Sequence, residues 1–507
     1  YKLNLKFVEN NTTSSQEEVT FGIRQIDTYF TEGGHKGFIL NGKKVLIKGA
    51  GWTDDIFLRD NAESNERQVK YVRDMNMNTI RFENIWGTNQ SLYDMCDKYG
   101  MLALVGWSCQ WEWKGYLGVP DDEFGCISSE HDMDLLTRFL NDQVLWLRNH
   151  PSIIAWYGGS DKLLRPALEE KYMALLPQID NRPYVGSAKG LTSSVTGPSG
   201  MKMLGPYEYV GPDYWFLDSK YGGAYGFNTE TGPGSQIPVY ESIVKMITKD
   251  KLWPVNDVWN YHCTAAREAF NTLDVLNEVM DPMYGKADNL DDYLMSAHLM
   301  NYESTKSMFE AFRVRRDEAT GVIQWMLNSA WPSVYWQLYD YYQIPLPAYY
   351  GVKTANMPQQ LIYNYKDNGI YVVNETLETI KGLKAIIKGY SIESKLVYEK
   401  EIEFSTDPNS SNKIYTIDNN LKNSFLSLSI YNSNAEKIAD NFYCLSSKPN
   451  DYEWDKTNWM GTPMSGYTDF KDLRKMPKVD LKLNVSVRNS HTGKVIQLEI
   501  ENPSSTI

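Results

Sequence analysis

The stretch SIIAWYGGSD, Ser152–Asp161, decides how this chain is read. After Ser152 come five apolar or aromatic residues with no polar alternation, the pattern of a strand covered on both faces, as in a parallel sheet. Two glycines end it, a Ser and an Asp follow, and the helix-forming run KLLRPALEE (162–170) begins. Seven further short runs share the texture: KVLIKGAGW (44–52), NTIRFEN (78–84), LALVGW (102–107), RPYVGSAKG (182–190), GPYEYV (205–210), GAYGFNTE (223–230) and GVIQWMLNSAWP (321–332). Amphipathic helical patterns at 63–76, 90–99, 131–149, 166–178, 237–249 and 290–314 lie among them. Such alternation predicts a central (β/α)8 TIM barrel over 33–350.

Outside the barrel the period changes. Residues 1–32 alternate apolar and polar, as the end of an amino-terminal β-sandwich and a linker would. After about residue 350 the helical patterns stop, and short turn-bounded strands over 351–450 predict an immunoglobulin-like β-sandwich. A polar, aromatic linker (451–477) then leads to the start of a further sandwich (478–507). The predicted fold class is multidomain, a TIM barrel flanked by immunoglobulin-like sandwiches. The chain begins at Tyr1 within a strand-like run, with no Met and no signal-peptide pattern, and is expected to be part of a longer polypeptide.

Composition narrows the function. With 64 acidic against 51 basic residues and a formal charge of -13, the chain is unsuited to neutralising a phosphate backbone, which argues against nucleic-acid partners. Fifteen Trp and 35 Tyr supply the flat, amphipathic rings that stack on sugar faces. The five cysteines, Cys96, Cys109, Cys126, Cys263 and Cys444, are scattered and form no CxxC pair, so neither a zinc site nor a disulfide framework is suggested and buried free thiols are expected. No window of about 18 apolar residues exists, so no membrane span is predicted. No glycine pattern cradles phosphate and no ligand spacing holds a metal, so no cofactor is expected.

A barrel displays its reactive side chains at the carboxyl ends of its strands. Asp161 stands at the end of the fourth run and Glu230 is the last residue of the seventh. Two carboxylates there can bracket one glycosidic bond, one holding a proton for the leaving oxygen and the other ionised. Spacing alone equally allows Asp161 to be a helix N-cap and Glu230 an ion-pair partner. Gly158 and Gly159 are read as letting the strand end approach a substrate. Trp331, after the eighth run, is a candidate floor for a sugar ring, and Tyr207 and Glu208 are candidates to bond the nucleophile or the sugar. Trp107 and Trp111 are divided between cleft and core, and His262 between the cleft and helix packing.

FGIRQID (21–27), GFILNGKKVLIKGAGW (37–52), RNHPSIIAWYGGSD (148–161) and FNTETGPG (227–234) resemble glycoside hydrolase family 2, over about residues 18 to 340. The resemblance implies β-sandwiches joined to a catalytic barrel, Asp161 as general acid/base, Glu230 as nucleophile, and a retaining reaction with the two groups about 5 to 5.5 Å apart. Most of that family carries Asn-Glu where this chain has Ser160-Asp161, and Ser-Asp resembles its exo-β-D-glucosaminidase branch. Glu83, after Arg81 in NTIRFEN, matches the acidic residue which that branch keeps near the sugar's amine, whose charge needs a buried anion. The implied function is a retaining exo-β-glycosidase releasing glucosamine from chitosan oligosaccharides. A β-mannosidase or endo-β-mannosidase, or a carbohydrate-binding protein without turnover, are the alternatives. A carbohydrate substrate implies a periplasmic or secreted location.

Overall fold

The computed structural model describes residues 1–83, 90–106, 119–264, 269–417, 421, 423–490 and 493–504. Within them, seven parallel strands form one curled sheet. In spatial order these are Tyr184–Ser187, Ile153–Gly159, Leu102–Gly106, Thr79–Phe82, Ile47–Trp52, Ala319–Gln324 and Gly226–Thr231. Beside the last of this series lies Lys202, which forms a parallel bridge with Asn228, and the Thr229 hydroxyl donates to the Ala188 carbonyl just past the first strand. The Lys202 N–H donates to the Phe227 carbonyl, and the Thr229 N–H donates to the Lys202 carbonyl.

The sixth barrel position is therefore Met201–Met203 rather than the expected run at 205–210. That run cannot extend a strand: Gly205 has a positive φ of 62° and Pro206 has no N–H to give a ladder. The eighth strand also stops at Gln324, earlier than the 321–332 run suggested. Six of the amphipathic patterns appear as helices, among them Ala62–Asp74, Glu130–Leu147, Pro166–Ile179 and Leu290–Val314.

Strand alternation sorts the sheet into two cores. Ile80, Phe82, Ala103 and Val105 pack outward against Val69, Val72, Leu140 and Val144 of the surrounding helices. Leu104, Ile154, Tyr157, Val185 and Phe227 face inward. Phe38, on the strand Lys36–Leu40, is fully buried in this inner cluster, with its ring edge-on to Phe227 at 6.1 Å. Because Ile80 and Phe82 point outward, Arg81 between them points into the barrel.

Beyond the barrel, two antiparallel sheets face each other. One joins Gln359–Asn364, Gly369–Asn374 and Ser410–Thr416; the other has the order Leu396–Thr406, Ile380–Ser391, Ser424–Tyr431, Lys437–Leu445. Alternate residues such as Leu426, Leu428 and Ile430 meet Leu361, Ile370 and Val372 between them. Glu375 fastens this sandwich to the barrel. Its carboxylate receives Lys48 Nζ at 2.5 Å from the first barrel strand and Arg313 Nε at 3.0 Å from the long helix Leu290–Val314. Burial alone would raise this carboxyl, but Arg313 and Lys48 hold it down to about 2. At either end lies an antiparallel hairpin, Lys2–Glu9 with Thr12–Thr20 and Lys482–Ser490 with Gly493–Glu501, exposed but for the half-buried Val19. Cys96, Cys126 and Cys263 are buried and Cys444 is half-buried; Cys109 lies outside the described residues.

Candidate active site

Four strand ends bring polar side chains to one mouth. Arg81, from the second strand, is 2% exposed and holds the group together. Its Nη1 donates to Glu230 Oε1 at 2.7 Å and to the Thr229 carbonyl at 3.1 Å, and its Nη2 donates to Ser160 Oγ at 2.9 Å. Glu83 Oε1 lies 3.7 Å from the same Nη2. The guanidinium fork thus ties the second, fourth and seventh strands together, a planar geometry that an ammonium cannot reproduce. Glu230 receives a further hydrogen bond on Oε2, from the Tyr207 hydroxyl at 3.0 Å.

The electrostatics follow from burial and neighbours. Burial raises the Glu230 carboxyl, Arg81 opposes this, and Glu83 and Asp161 add to it, leaving the group at about 7. Between its ordinary value of 4.5 and about 7, the folded chain holds this proton while the unfolded chain releases it. The Glu230 contribution to stability therefore falls as pH rises through that window. Tyr207 is raised well above the usual phenol value, first by burial and then by the Glu230 charge, so it remains a donor to that carboxylate at neutral pH. Asp161 is close enough for its charge to act on both Glu230 and Tyr207.

The structure thus brings Arg81, Glu83, Ser160, Asp161, Tyr207 and Glu230 into one electrostatic group. Trp331 packs against the face of His262 at 5.6 Å and against the edge of Tyr261. His262 is buried between the carbonyls of Pro332 and Met246. Glu208 is half-buried, its carboxyl pushed up by desolvation to about 8, with the Tyr335 hydroxyl 3.5 Å from Oε2. Trp107 and Trp111 lie outside the described residues. The reading of Gly158 needs correction: a Cβ there would lie 2.2 Å from the Tyr184 hydroxyl, so this glycine makes room for a neighbouring strand rather than for a substrate.

Two groups at the mouth escaped the sequence reading. Trp325 directly follows the eighth strand; its N–H donates to the Thr231 carbonyl, and its ring lies so close over Gly51 that a Cβ there would come within 2.7 Å. The signal was a tryptophan directly after the GVIQ run, hidden by reading the strand too long. The second group is the Met460 carbonyl, which accepts from the backbone N–H groups of both Tyr207 and Glu208, with Trp459 beside the Tyr207 ring at 6.4 Å. A 380 Å³ cavity adjoins the ends of the first two strands, walled by Trp52, Asp54, Phe82, Asn328 and Tyr339.

Comparison with known proteins places this geometry. Residues 34–182 match the model for the TIM barrel domain of glycosyl hydrolases family 2, and residues 368–448 match the mannosidase Ig/CBM-like domain. The exo-β-D-glucosaminidase of Streptomyces avermitilis is 33% identical over 97% of this chain and 56% of its own length. That of Arthroderma benhamiae is 32% identical over 96% and 57%. A solved complex of Amycolatopsis orientalis exo-chitosanase with PNP-β-D-glucosamine superposes with a TM-score of 0.92 at 29% identity, covering 99% of this chain and 61% of that one. The chain thus spans little more than half the length of the curated relatives it matches.

Proposed function

The chain belongs to glycoside hydrolase family 2, and from that premise we propose that it is the catalytic part of a retaining exo-β-D-glucosaminidase acting on chitosan oligosaccharides. The observation that carries this reading is the charge balance around Arg81. Glu83 and Asp161 both act on Glu230 there, and Arg81 bonds Glu230 and lies 3.7 Å from Glu83. The Glu83 carboxylate beside this group suits a substrate bearing a protonated amine, whereas a neutral 2-hydroxyl needs no buried anion.

In the proposed reaction, Asp161 donates its proton to the leaving glycosidic oxygen while Glu230 attacks C1, forming a glycosyl ester. Asp161, now ionised, takes a proton from the water that attacks C1, the ester C–O bond breaks, and Glu230 is released as a carboxylate. Arg81 and Tyr207 each hold one oxygen of Glu230, so the nucleophile enters the reaction already oriented. The arriving ammonium lowers the proton affinity of Glu230 and helps to ionise it, because an opposite charge nearby favours the carboxylate. The Ser160 hydroxyl accepts from Arg81, which supports a positioning role. Trp325 is proposed as the ring-facing aromatic beside Glu230. A periplasmic or secreted location rests on where polysaccharide fragments are met.

The test is hydrolysis of aryl β-D-glucosaminide beside aryl β-D-mannoside. The amino sugar is expected to be preferred, and Glu83→Gln to lower its kcat/KM about tenfold or more, the value of one hydrogen bond to a charged group. A preference for mannoside would overturn the amine argument. In the pH profile of kcat/KM, the rise governed by Glu230 is expected near the free-enzyme value of about 7. Glu83→Gln removes a charge that raises this value, so the rise should move to lower pH.

A further inference from the structure

A second cavity, of 390 Å³, lies where the loop after the sixth strand position, the helix Leu290–Val314, the sandwich and the segment after it meet. That volume is within the range of small-molecule sites. Three polar groups on its wall lack the partners that buried groups normally have. Tyr209 is 3% exposed and Tyr284 4%, and neither hydroxyl has a hydrogen-bond partner among the described residues. Buried tyrosines ordinarily find such a partner. Thr468 Oγ1, on the same wall, is also buried without one.

The third requirement is charge, and Glu303 on the same wall supplies it. Its nearest cation is Lys306 Nζ at 3.9 Å, too far for a hydrogen bond, and that ammonium is already given to Asn441 Oδ1 and the Phe442 carbonyl. Glu303 acts electrostatically on both Tyr209 and Tyr284, so the three converge. Asp213, which accepts from Asn450 and Tyr452, lines the cavity as well. Glu310, about two turns further along the helix, adds another carboxylate near Lys306. Burial raises the carboxyls of Glu303, Glu310 and Asp213 alike, and Lys306 opposes this at Glu303 and Glu310. The aromatic faces of Tyr365 and Phe470 complete the wall.

We propose that this cavity is a second, non-catalytic binding site for a protonated amine carrying hydroxyl groups, an amino-sugar unit. The ammonium would sit against Glu303, and the sugar hydroxyls would meet Tyr209, Tyr284 and Thr468. Choosing glucosamine as the ligand rests on the function proposed above; the cavity and its unpartnered groups do not.

The test is calorimetric titration of this chain with D-glucosamine and with D-glucose. Two glucosamine molecules are expected to bind, with glucose at least about tenfold weaker at the second site. Glu303→Gln should remove the second event while leaving kcat/KM for aryl glucosaminide within about twofold. Tyr209→Phe, a smaller change that keeps the aromatic volume, should weaken the event about fivefold, the value of one neutral hydrogen bond, and carries the test if Glu303→Gln fails to fold. A single event, removed by Glu83→Gln and untouched by Glu303→Gln, would overturn the proposal. Equal binding of glucose at the second site would overturn its cationic element. If aryl glucosaminide were not hydrolysed yet an event sensitive to Glu303→Gln persisted, the function proposed above would fail and the second site would stand.

Discussion

Glu230→Gln is expected to lower kcat for aryl β-D-glucosaminide by about a thousandfold or more, with little change in binding. The amide keeps the shape of the side chain and can still accept from Arg81 or Tyr207, but it cannot form the glycosyl ester. Asp161→Asn should be nearly as damaging with a poor leaving group, about a hundred- to ten-thousandfold. With an activated aryl leaving group the first step needs no proton, so the deficit moves to the second step and a burst of phenol should precede slow turnover. Added azide tests this difference. It attacks the glycosyl ester without needing a base, so Asp161→Ala should recover turnover and yield a β-glycosyl azide. In Glu230→Ala azide takes the place of the lost nucleophile and yields the α-anomer. A variant at either position retaining more than about a tenth of the parent rate would remove that residue from its proposed role.

Arg81→Met carries the second large effect. The thioether fills similar volume but offers no donor and no charge, so Glu230 loses the interaction that opposes its burial. Its carboxyl then moves above its present value of about 7. At pH 7 the nucleophile is largely protonated and kcat/KM should fall about a hundredfold or more, part from lost ionisation and part from lost orientation. The pH profile separates these parts: activity should recover in part as pH rises, which a purely structural defect would not show. Stability should respond in the opposite sense, because deprotonating Glu230 then leaves a buried charge without its guanidinium. Thermal melts of the variant are expected to fall more steeply than those of the parent between pH 6 and 9. Parallel melting curves would show that Arg81 does not govern this ionisation.

Most of the barrel could be read from texture because its strands are buried on both faces, which removes the polar alternation that a half-exposed strand would show. The carboxylates could be read for the same reason: Asp161 and Glu230 are the polar residues that interrupt apolar runs at the ends facing the loops. The misreadings have physical causes. At the sixth position the strand is reduced to Met201–Met203 around a buried lysine, whose ammonium rests on the carbonyls of Tyr221 and Gly223. The more apolar run beyond it belongs to a loop whose aromatics turn toward the mouth at Tyr207 and toward the second cavity at Tyr209. Trp331 looked like the end of a strand because GVIQWMLNSAW is mostly apolar, although the ladder closes at Gln324. The Met460 carbonyl left no trace in the sequence, since a backbone acceptor far along the chain can belong to any residue type.

The carboxylate of Glu375 also bears on how such a molecule can be taken apart. Lys48 and Arg313, 4% and 0% exposed, would be left without a counter-ion if the barrel were excised from the sandwich, and removing one partner of such a buried set costs about 3–5 kcal/mol. That is a large share of what a domain has in reserve. The two modules are therefore expected to fold as one part. A chimera that grafts this barrel onto a foreign sandwich must carry a glutamate at the matching bend, and a library that shuffles at the junction without it will be enriched in chains that do not fold.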